Sequence, residues 1–306
     1  MMGDREDTER NLIQQYARRA IERPESAYRV LLYVVIAFFL LASLFPFYWL
    51  LVIALTPNRS IVDMGLLPKG FQPWVFVEVF ETIPFHIYML NSVIIATLTT
   101  IVVLFVGSIA GYVFGRYDFP GRTPLLLVVL VVSYFPGVAF LIPLFQLFTA
   151  NIEFLGVQSP MLYNTPWSIV MPLSALTMPL IIFLLSTFYA QIPEGLEDAA
   201  RIEGSTRLGA LVRIIIPLSA PGFATAGILS FIIVYNEFFF SYLMVSGTAT
   251  GGAPILHGIF QFQGSQQVAY DLMAAASIIG VIPMAVLVMF AQDHIVSGLT
   301  QGALKE

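Results

Sequence analysis

Charged side chains make up only 11% of this 306-residue chain, so each place where they collect stands out. Glu237 lies inside a long apolar run, in "VYNEFFFSYLMVSG", directly after Tyr235 and Asn236. A charge at the centre of a membrane helix costs about 2.5–3.5 kcal/mol on insertion scales unless it meets water or a partner. Glu237 is therefore expected to point into a bundle, where it either hydrogen-bonds neighbouring helices or lines a polar pathway. It is thin material for a proton relay. Asp271 and Asp293 sit at or near the ends of the last apolar run, and the other runs carry no charge in their interiors. Enzymatic chemistry finds still less to work with. No serine–histidine pair or paired carboxylates converge within the runs, and His86, His257 and His294 stand at no metal-ligand spacing. Cysteine is absent, which removes disulfides and thiolate ligands. A phosphate-cradling loop of the form GxxxxGKS/T needs a lysine in place. The only lysines are Lys69 and Lys305, and neither fits.

The densest collection of charge is "EGLEDAARIEGSTRLGALVRIIIPLSAPG", Glu194 to Gly222, with seven charged residues between two apolar runs. Its pattern is two short amphipathic helices around a glycine. Pro193 suits a first helical turn, and Glu194, Glu197 and Asp198 place negative charge at the positive end of that helix. Leu196, Ala199, Ala200 and Glu203 follow at spacings of 3, 4 and 7 and share a face, where the alanines permit close backbone approach. Gly204 can take the left-handed conformation that ends a helix, and Ser205 or Thr206 can cap the next one. Leu208, Leu211, Val212 and Ile215 then face one way, and Pro217 closes the unit. Such a knob suits a socket on a partner protein. It equally suits an interfacial linker lying flat on lipid.

The elements around these residues are built for lipid. The chain is 58% hydrophobic with a mean hydropathy of +0.84, and soluble domains carry about 25% charged residues. About 20 mostly apolar residues span a bilayer. Six stretches qualify: Val30–Leu55, Asn91–Phe114, Leu125–Phe148, Trp167–Ala190, Ala220–Val245 and Leu272–Ile295. The first is far longer than a signal-peptide core and lacks a small-residue cleavage site, so it is read as a retained span. Pro46, Pro136, Pro143, Pro172, Pro179 and Pro283 fall inside these runs, which a bundle tolerates because neighbours re-satisfy the freed carbonyls.

Lysine and arginine favour the cytoplasmic side. Residues 1–29 hold six arginines, and Arg116, Arg122, Arg201, Arg207, Arg213 and Lys305 fall on the same side. The opposite connections hold only Arg59 and Lys69. Both ends and the Glu194–Gly222 loop are thus expected in the cytoplasm. Within the first 29 residues, Leu12, Ile13, Tyr16 and Ala20 share a face opposite Arg18 and Arg19. That pattern fits a helix on the inner membrane surface or a solvated tail. A net charge of −5, dispersed, does not point to nucleic acid.

The charged segment resembles the EAA loop of ATP-binding-cassette (ABC) importer permeases: Glu-Ala-Ala, three residues, Gly, nine residues, then Ile-x-Leu-Pro. Asp198, Ala199 and Ala200 stand for the triplet, Gly204 follows, and Ile214, Ile216 and Pro217 complete the spacing. The departures are Asp198 for Glu and Ile216 for Leu, with Glu203 where many relatives have Asp. "NSVIIATLTTIVVLFVGSIAGYVFGRYDFPGR" (Asn91 to Arg122) is similar to the second span and following turn of the maltose-type, carbohydrate branch. "VYNEFFFSYLMVSG" resembles that branch's Trp-Asn-Glu-Phe signature with Tyr235 replacing the tryptophan, and the final "AASIIGVIPMAVLVMFAQDHIVSGLTQGALKE" resembles its last span and tail.

The resemblance runs from about Val30 to Glu306 and implies an all-α polytopic membrane bundle of six transmembrane helices, the type I ABC importer permease fold. It divides the chain into residues 1–29, a permease domain over 30–295 with a coupling loop at 191–219, and a tail at 296–306. In the family this loop sits in a cleft of an ATPase subunit. Glu194, Leu196, Glu197, Asp198, Ala199, Ala200, Ile202, Glu203, Gly204, Arg207 and Pro217 are then the expected ATPase-coupling residues. The implied partners are a second homologous permease, two ABC ATPase subunits that use ATP and Mg²⁺, an external solute-binding protein and a carbohydrate, in particular an oligosaccharide. The chain itself is expected to bind no cofactor, metal or nucleic acid. Sugars are held by aromatic faces and neutral hydrogen-bonding groups, so Tyr134, Gln146, Tyr235, Asn236 and Glu237 are candidates for the pathway. The same groups can simply join helices. The tail "SGLTQGALKE" resembles one that reaches into the ATPase interface. An importer of a non-sugar solute and an ion-coupled secondary carrier are the alternatives.

Overall fold

A computed structural model describes residues 24–154, 156–264 and 267–301. The amphipathic pattern at Leu12–Ala20 and the last residues of the tail lie outside them. Helix α1 (Pro24–Leu55) is followed by α2 (Val75–Thr82), α3 (Phe85–Arg116), α4 (Arg122–Val132) and α5 (Leu141–Phe148). A two-residue hairpin, β1 (Glu153–Phe154) and β2 (Val157–Gln158), pairs antiparallel with Glu153 opposite Gln158. Next come α6 (Trp167–Ala190), α7 (Glu194–Ile202), α8 (Arg207–Leu218) and α9 (Ala220–Tyr235). The chain closes with α10 (Phe239–Met244), α11 (Ile255–Gln261) and α12 (Tyr270–Gln301).

Among the described residues, four helices are long and apolar enough to cross a membrane unaided: α1, α3, α6 and α12. The fourth expected span matches α6 at both ends. The second is longer than expected, and α1 begins before residue 30, inside the segment assigned to the amino-terminal arm. Helix α12 likewise runs past the expected start of the tail at 296.

Two of the six expected spans are not straight helices. The third is α4 joined to the Gly137–Phe148 helix at 82°. Its break falls at Phe135–Pro136–Gly137, because the residue before a proline is pushed away from the helical region, and Pro136 itself is extended at ψ 116°. The fifth span, expected over Ala220–Val245, ends as α9 at Tyr235 and resumes as α10 at Phe239. Helices α8 and α9 meet at 87° around Ser219, between Pro217 and Pro221.

The most extensive helix–helix contact in the bundle is between α3 and α6. Gly107, Gly111 and Gly115 recur every fourth residue along α3, the small-xxx-small pattern that lets membrane helices approach by their backbones. A Cβ on Gly111 would lie 2.9 Å from that of Leu185, and one on Gly115 only 2.7 Å from the Ser186 carbonyl oxygen. One core gathers Ile95, Ala96, Ile169, Val170, Val234, Met244 and Ala275. A second lies nearer the charged loop and gathers Val103, Tyr112, Ile181, Leu185, Tyr189, Leu211 and Ile215. Helix α3 runs through both.

Polar groups knit the end of the bundle away from that loop. Asp271, at the start of α12, accepts from the Asn58 backbone at 3.1 Å and from Gln72 Nε2 at 3.0 Å. On α3, Tyr88 donates to the Gly247 carbonyl at 3.0 Å, and Asn91 donates to the Ala249 and Ala253 carbonyls at 2.9 and 3.0 Å. Helix α1 is different: every side chain from Tyr28 to Tyr48 is exposed, an apolar surface suited to lipid.

Gly115→Ala is expected to force α3 and α6 apart, with the loss of about 1–3 kcal/mol typical of overpacking and a lower thermal midpoint for the detergent-solubilised protein. Gly195→Ala is the control, since a Cβ there meets nothing within 4 Å. Equal midpoints for the two variants would show that the close approach does not hold the pair together.

Candidate functional site

The knob forms as two helices around a left-handed glycine. Helix α7 starts immediately after Pro193, which sits extended at ψ 132° just before the first turn rather than within it. Its other end is closed by Gly204 at φ +92°. The Gly204 N–H donates to the Arg201 carbonyl at 3.1 Å and the Ser205 N–H to the Ala200 carbonyl at 2.9 Å, the paired bonds of a Schellman end. Thr206, not Ser205, caps α8: its Oγ1 accepts from the Gly209 N–H at 3.0 Å.

The two faces of α7 divide differently from the sequence expectation. Glu197 and Ala200 turn inward, while Glu194, Leu196, Asp198, Ala199, Arg201, Ile202 and Glu203 are exposed. Ile202 is the extreme case at 87% exposure, a large aliphatic side chain presented on a polar knob. The inward contact is ionic. Arg116, the last residue of α3, donates through Nε to Glu197 Oε2 at 3.0 Å, with side-chain exposures of only 5% and 9%. Tyr112, one turn earlier, donates its hydroxyl to Glu197 Oε1. Arg116 also donates through Nη1 to the Ile192 carbonyl at 2.5 Å, in the connection between α6 and α7. Removing one partner of such a buried pair costs about 3–5 kcal/mol, because the other charge is left unpaired.

The second helix of the knob is tied to the same end of α3. The Arg207 guanidinium lies over the Tyr117 ring, 4.7 Å from its centre, and the Tyr117 hydroxyl donates to Tyr112 at 3.1 Å. Leu208, Leu211 and Val212 face Ile101, Leu104 and Phe105 of α3 across an apolar groove of about 510 Å³. Ile215 is instead fully buried in the core beneath, and Pro217 is exposed at the bend. In the sequence Arg116 serves only as a marker of sidedness, and no motif there singles out Tyr112 or Tyr117. The available signal was an arginine and two tyrosines closing an otherwise apolar helix.

The five candidate pathway residues do not share one environment. The Tyr235 side chain is buried and its hydroxyl donates to the Gly280 carbonyl at 2.8 Å, so it joins α9 to α12. Tyr134 stands 87% exposed at the break of the third span, and Gln146 is exposed on α5. Asn236 is exposed and donates to the Ile232 carbonyl at 2.8 Å, closing α9. Glu237 does not sit within a continuous helix. Its carboxylate accepts from the Phe240 N–H at 2.8 Å and the Ser241 N–H at 3.3 Å, which starts α10. The Asn-Glu pair thus ends one helix and begins the next, because short polar side chains offer the backbone alternative hydrogen-bond partners. Among the described residues no group of three or more His, Asp or Glu side chains is placed to hold a metal.

The described residues form a multi-pass helical bundle with a two-helix knob at one end. Residues 103–301 match the family described as the binding-protein-dependent transport system inner membrane component, and the chain belongs to that family. It is 34% identical over 286 residues to the trehalose/maltose transport system permease protein MalG of Thermococcus litoralis, covering 92% of this chain and 99% of that protein. It is 31% identical over 275 residues to the sulfoquinovosyl glycerol transport system permease protein SmoH of Agrobacterium fabrum, covering 89% and 93%. The fold is similar to a chain in the crystal structure of a bacterial ABC transporter involved in the import of the acidic polysaccharide alginate. That match has a TM-score of 0.70 at 18% identity and covers 89% of this chain and 97% of the other.

Substitutions at two positions probe the local geometry. In Gly204→Val the Cβ meets nothing within 4 Å; the penalty assigned to it is the left-handed backbone, about 1–2 kcal/mol. Faster amide hydrogen exchange at Gly204 and Ser205 is expected, and unchanged exchange would show that the turn does not need glycine. At the α9–α10 break, Glu237→Gln keeps an acceptor and should be nearly silent, whereas Glu237→Leu should cost about 0.5–2 kcal/mol, the range for losing a helix cap. Thermal midpoints of the purified protein distinguish the two, and equal midpoints would remove the carboxylate from any part in starting α10.

Proposed function

We propose that this chain is one permease of a carbohydrate importer driven by ATP, with the knob Glu194–Leu218 docking on an ATPase subunit at the cytoplasmic face. The observation that carries this reading is the knob itself. Ile202 is thrust outward on a helix whose inner side is fastened to α3 by a buried ion pair. A linker lying on lipid would bury its apolar side chains in the bilayer and would have no need of an internal ionic anchor. Asp198, Ala199, Ile202 and Glu203 supply the exposed docking surface, with Glu194, Leu196 and Arg207 at its margins. Glu197, Ala200, Gly204 and Pro217 shape that surface from within and at its turns.

The arrangement supports a non-catalytic role. ATP and Mg²⁺ are used on two partner ATPase subunits, and this chain contributes span movement. A second, homologous permease completes the pathway, and an external binding protein delivers the solute. Tyr134, Gln146 and Asn236 face outward at or near the broken spans, where lipid leaves polar groups unsatisfied at several kcal/mol each. Covering that face with a second permease and a sugar in a polar pathway satisfies them. Both chain ends and the knob lie in the cytoplasm in this reading, following the arginine distribution.

Co-purification from native membranes tests the assembly: an ATPase, a second permease and a solute-binding protein are expected with this chain. Orientation is read on intact cells from single cysteines, which the cysteine-free chain allows. A membrane-impermeant thiol reagent should label Thr250→Cys and spare Ile202→Cys. A chain that purifies alone and supports ion-driven uptake would overturn the proposal, as would labelling of the knob from outside.

A further inference from the structure

The second helix of the knob does not run on in line with the span that follows it. Helices α8 and α9 meet at 87°, and the bend is firmly held. The Ser219 hydroxyl donates to the Ile215 carbonyl at 2.6 Å, and the Phe223 N–H donates to the Ser219 carbonyl at 2.9 Å. With α9 crossing the bilayer, α8 lies close to its plane. Beside it opens the apolar groove of about 510 Å³, walled by Ile101, Phe105 and Ile109 of α3, Val212 and Ile216 of α8 and Phe223 of α9. One polar side chain borders it, Ser108, and its hydroxyl is already engaged with that of Tyr189 at 2.7 Å. An occupant therefore meets no free polar side chain, and neither water nor a sugar has anything to hold it there.

Helix α3 sets the depth of the groove. The polar contacts of Tyr88 and Asn91 mark one edge of the hydrocarbon, and a core about 30 Å thick takes about 20 residues of helix to cross. The second edge then falls near Gly111, and Tyr112, Arg116 and Tyr117 follow it as an interfacial set. On this scale Ile101 lies about 15 Å from Asn91, at the mid-plane, and Ile109 about 27 Å, near the second edge. The groove thus spans one leaflet, on the knob's side. A partner's membrane helix would have to pass α8 to leave the bilayer, whereas an acyl chain ends at the mid-plane. The headgroup level is basic. Helix α8 carries two arginines and no carboxylate. Arg207 is engaged with the Tyr117 ring. Arg213, directly after Val212 at the lip of the groove, is exposed and has no hydrogen-bonded or ionic partner among the described residues. Glu197 and Asp118, on the neighbouring connections, are taken up by Arg116 and Arg122.

We propose that this groove is a binding site for one anionic phospholipid, with an acyl chain against Phe105 and Val212 and the headgroup phosphate on Arg213. The phosphate gives Arg213 the charge-assisted partner it lacks within the chain, and basic pockets between spans are a recurrent setting for anionic headgroups. Hydrocarbon fills the space that α3, α8 and α9 leave open, so the bound lipid braces the right angle on which the knob stands. The site requires that the bundle cross a bilayer and is independent of what the bundle carries.

The test is native mass spectrometry of the full chain in detergent, titrated with phosphatidylglycerol or with phosphatidylcholine of the same acyl chains. Phosphatidylglycerol should bind saturably and about fivefold more tightly than phosphatidylcholine, the factor for one arginine at an anionic surface. Arg213→Gln should remove that preference and leave phosphatidylcholine binding unchanged. Arg201→Gln, at an exposed arginine of α7 away from the groove, should keep it. Val212→Trp adds bulk at the lip and should weaken both lipids by at least the same factor. Val212 and Arg213 are exposed, so neither change enters the core. If Val212→Trp fails to fold, Phe105→Trp, at an exposed position on the opposite wall, carries the test by the same criterion. Equal affinity for the two lipids overturns the proposal, as does a preference that survives Arg213→Gln or binding that ignores the added bulk. The same titration of the chain with its natural partners decides between lipid and protein. Val212→Trp should again lower the phosphatidylglycerol retained, and loss of that effect on assembly gives the groove to a partner's helix and overturns the lipid site.

Discussion

Lipid offers an apolar side chain nothing for leaving it, so this bundle depends on how closely α3 and α6 can approach. Gly107, Gly111 and Gly115 remove the side chains that would hold the two backbones apart, and dispersion between close-packed atoms supplies the attraction. Once α3 is seated in this way, the other positions follow. Its first turns meet the Gly247–Ile255 segment, its middle meets α9, and its last residue meets the knob. A wider α3–α6 spacing would shift Arg116 relative to Ile192 and Glu197, and a hydrogen bond tolerates only a few tenths of an ångström.

The ionic anchor of the knob follows from the same setting. A buried ion pair is poor as a source of stability, since its desolvation offsets most of its Coulombic gain, and well-packed apolar groups often do as well. What it supplies is geometry. Glu197 accepts from Tyr112 on one oxygen and from Arg116 on the other, so the carboxylate is fixed in orientation as well as place. An apolar contact at this boundary would let α7 rotate or slide. The third bond, from Arg116 to the Ile192 carbonyl, extends the constraint to the strand of backbone that leads into the helix.

Much of this was legible in the sequence, and the failures have a common cause. Gly204 and the limits of α6 follow from residue chemistry that acts locally and are legible in the sequence, as is a cap at Ser205 or Thr206, of which the structure uses Thr206. Periodicity puts Leu196, Ala199, Ala200 and Glu203 on one face of α7, and of these the structure turns only Ala200 inward, beside Glu197. Here the inward group is a carboxylate, because the neighbour it meets is an arginine at the end of another span, more than 80 residues earlier. Amphipathic periodicity carries no information about such a partner. The straight third and fifth spans failed for a related reason. Hydropathy registers the apolar content of a stretch and is blind to its dihedral angles, so it carries each run straight across Pro136 and across the Asn236–Glu237 pair.

Those breaks matter for what surrounds the molecule. A helix crossing lipid satisfies its own backbone, and a broken one does so only with local help or where protein or water reaches it. At the fifth span the help is local: Asn236 closes α9 on the Ile232 carbonyl and Glu237 opens α10 on two N–H groups. Tyr235 beside them is used up in the contact with Gly280. At the third span Ser133 closes α4 on the Leu130 carbonyl at 2.6 Å, but Tyr134 beside it projects almost fully exposed. Lipid is a poor environment for that hydroxyl, whereas the apolar surface of α1 is complete in lipid as it stands. The chain therefore has two kinds of exposed face, one finished by hydrocarbon and one, along the broken spans, that needs polar company to be finished.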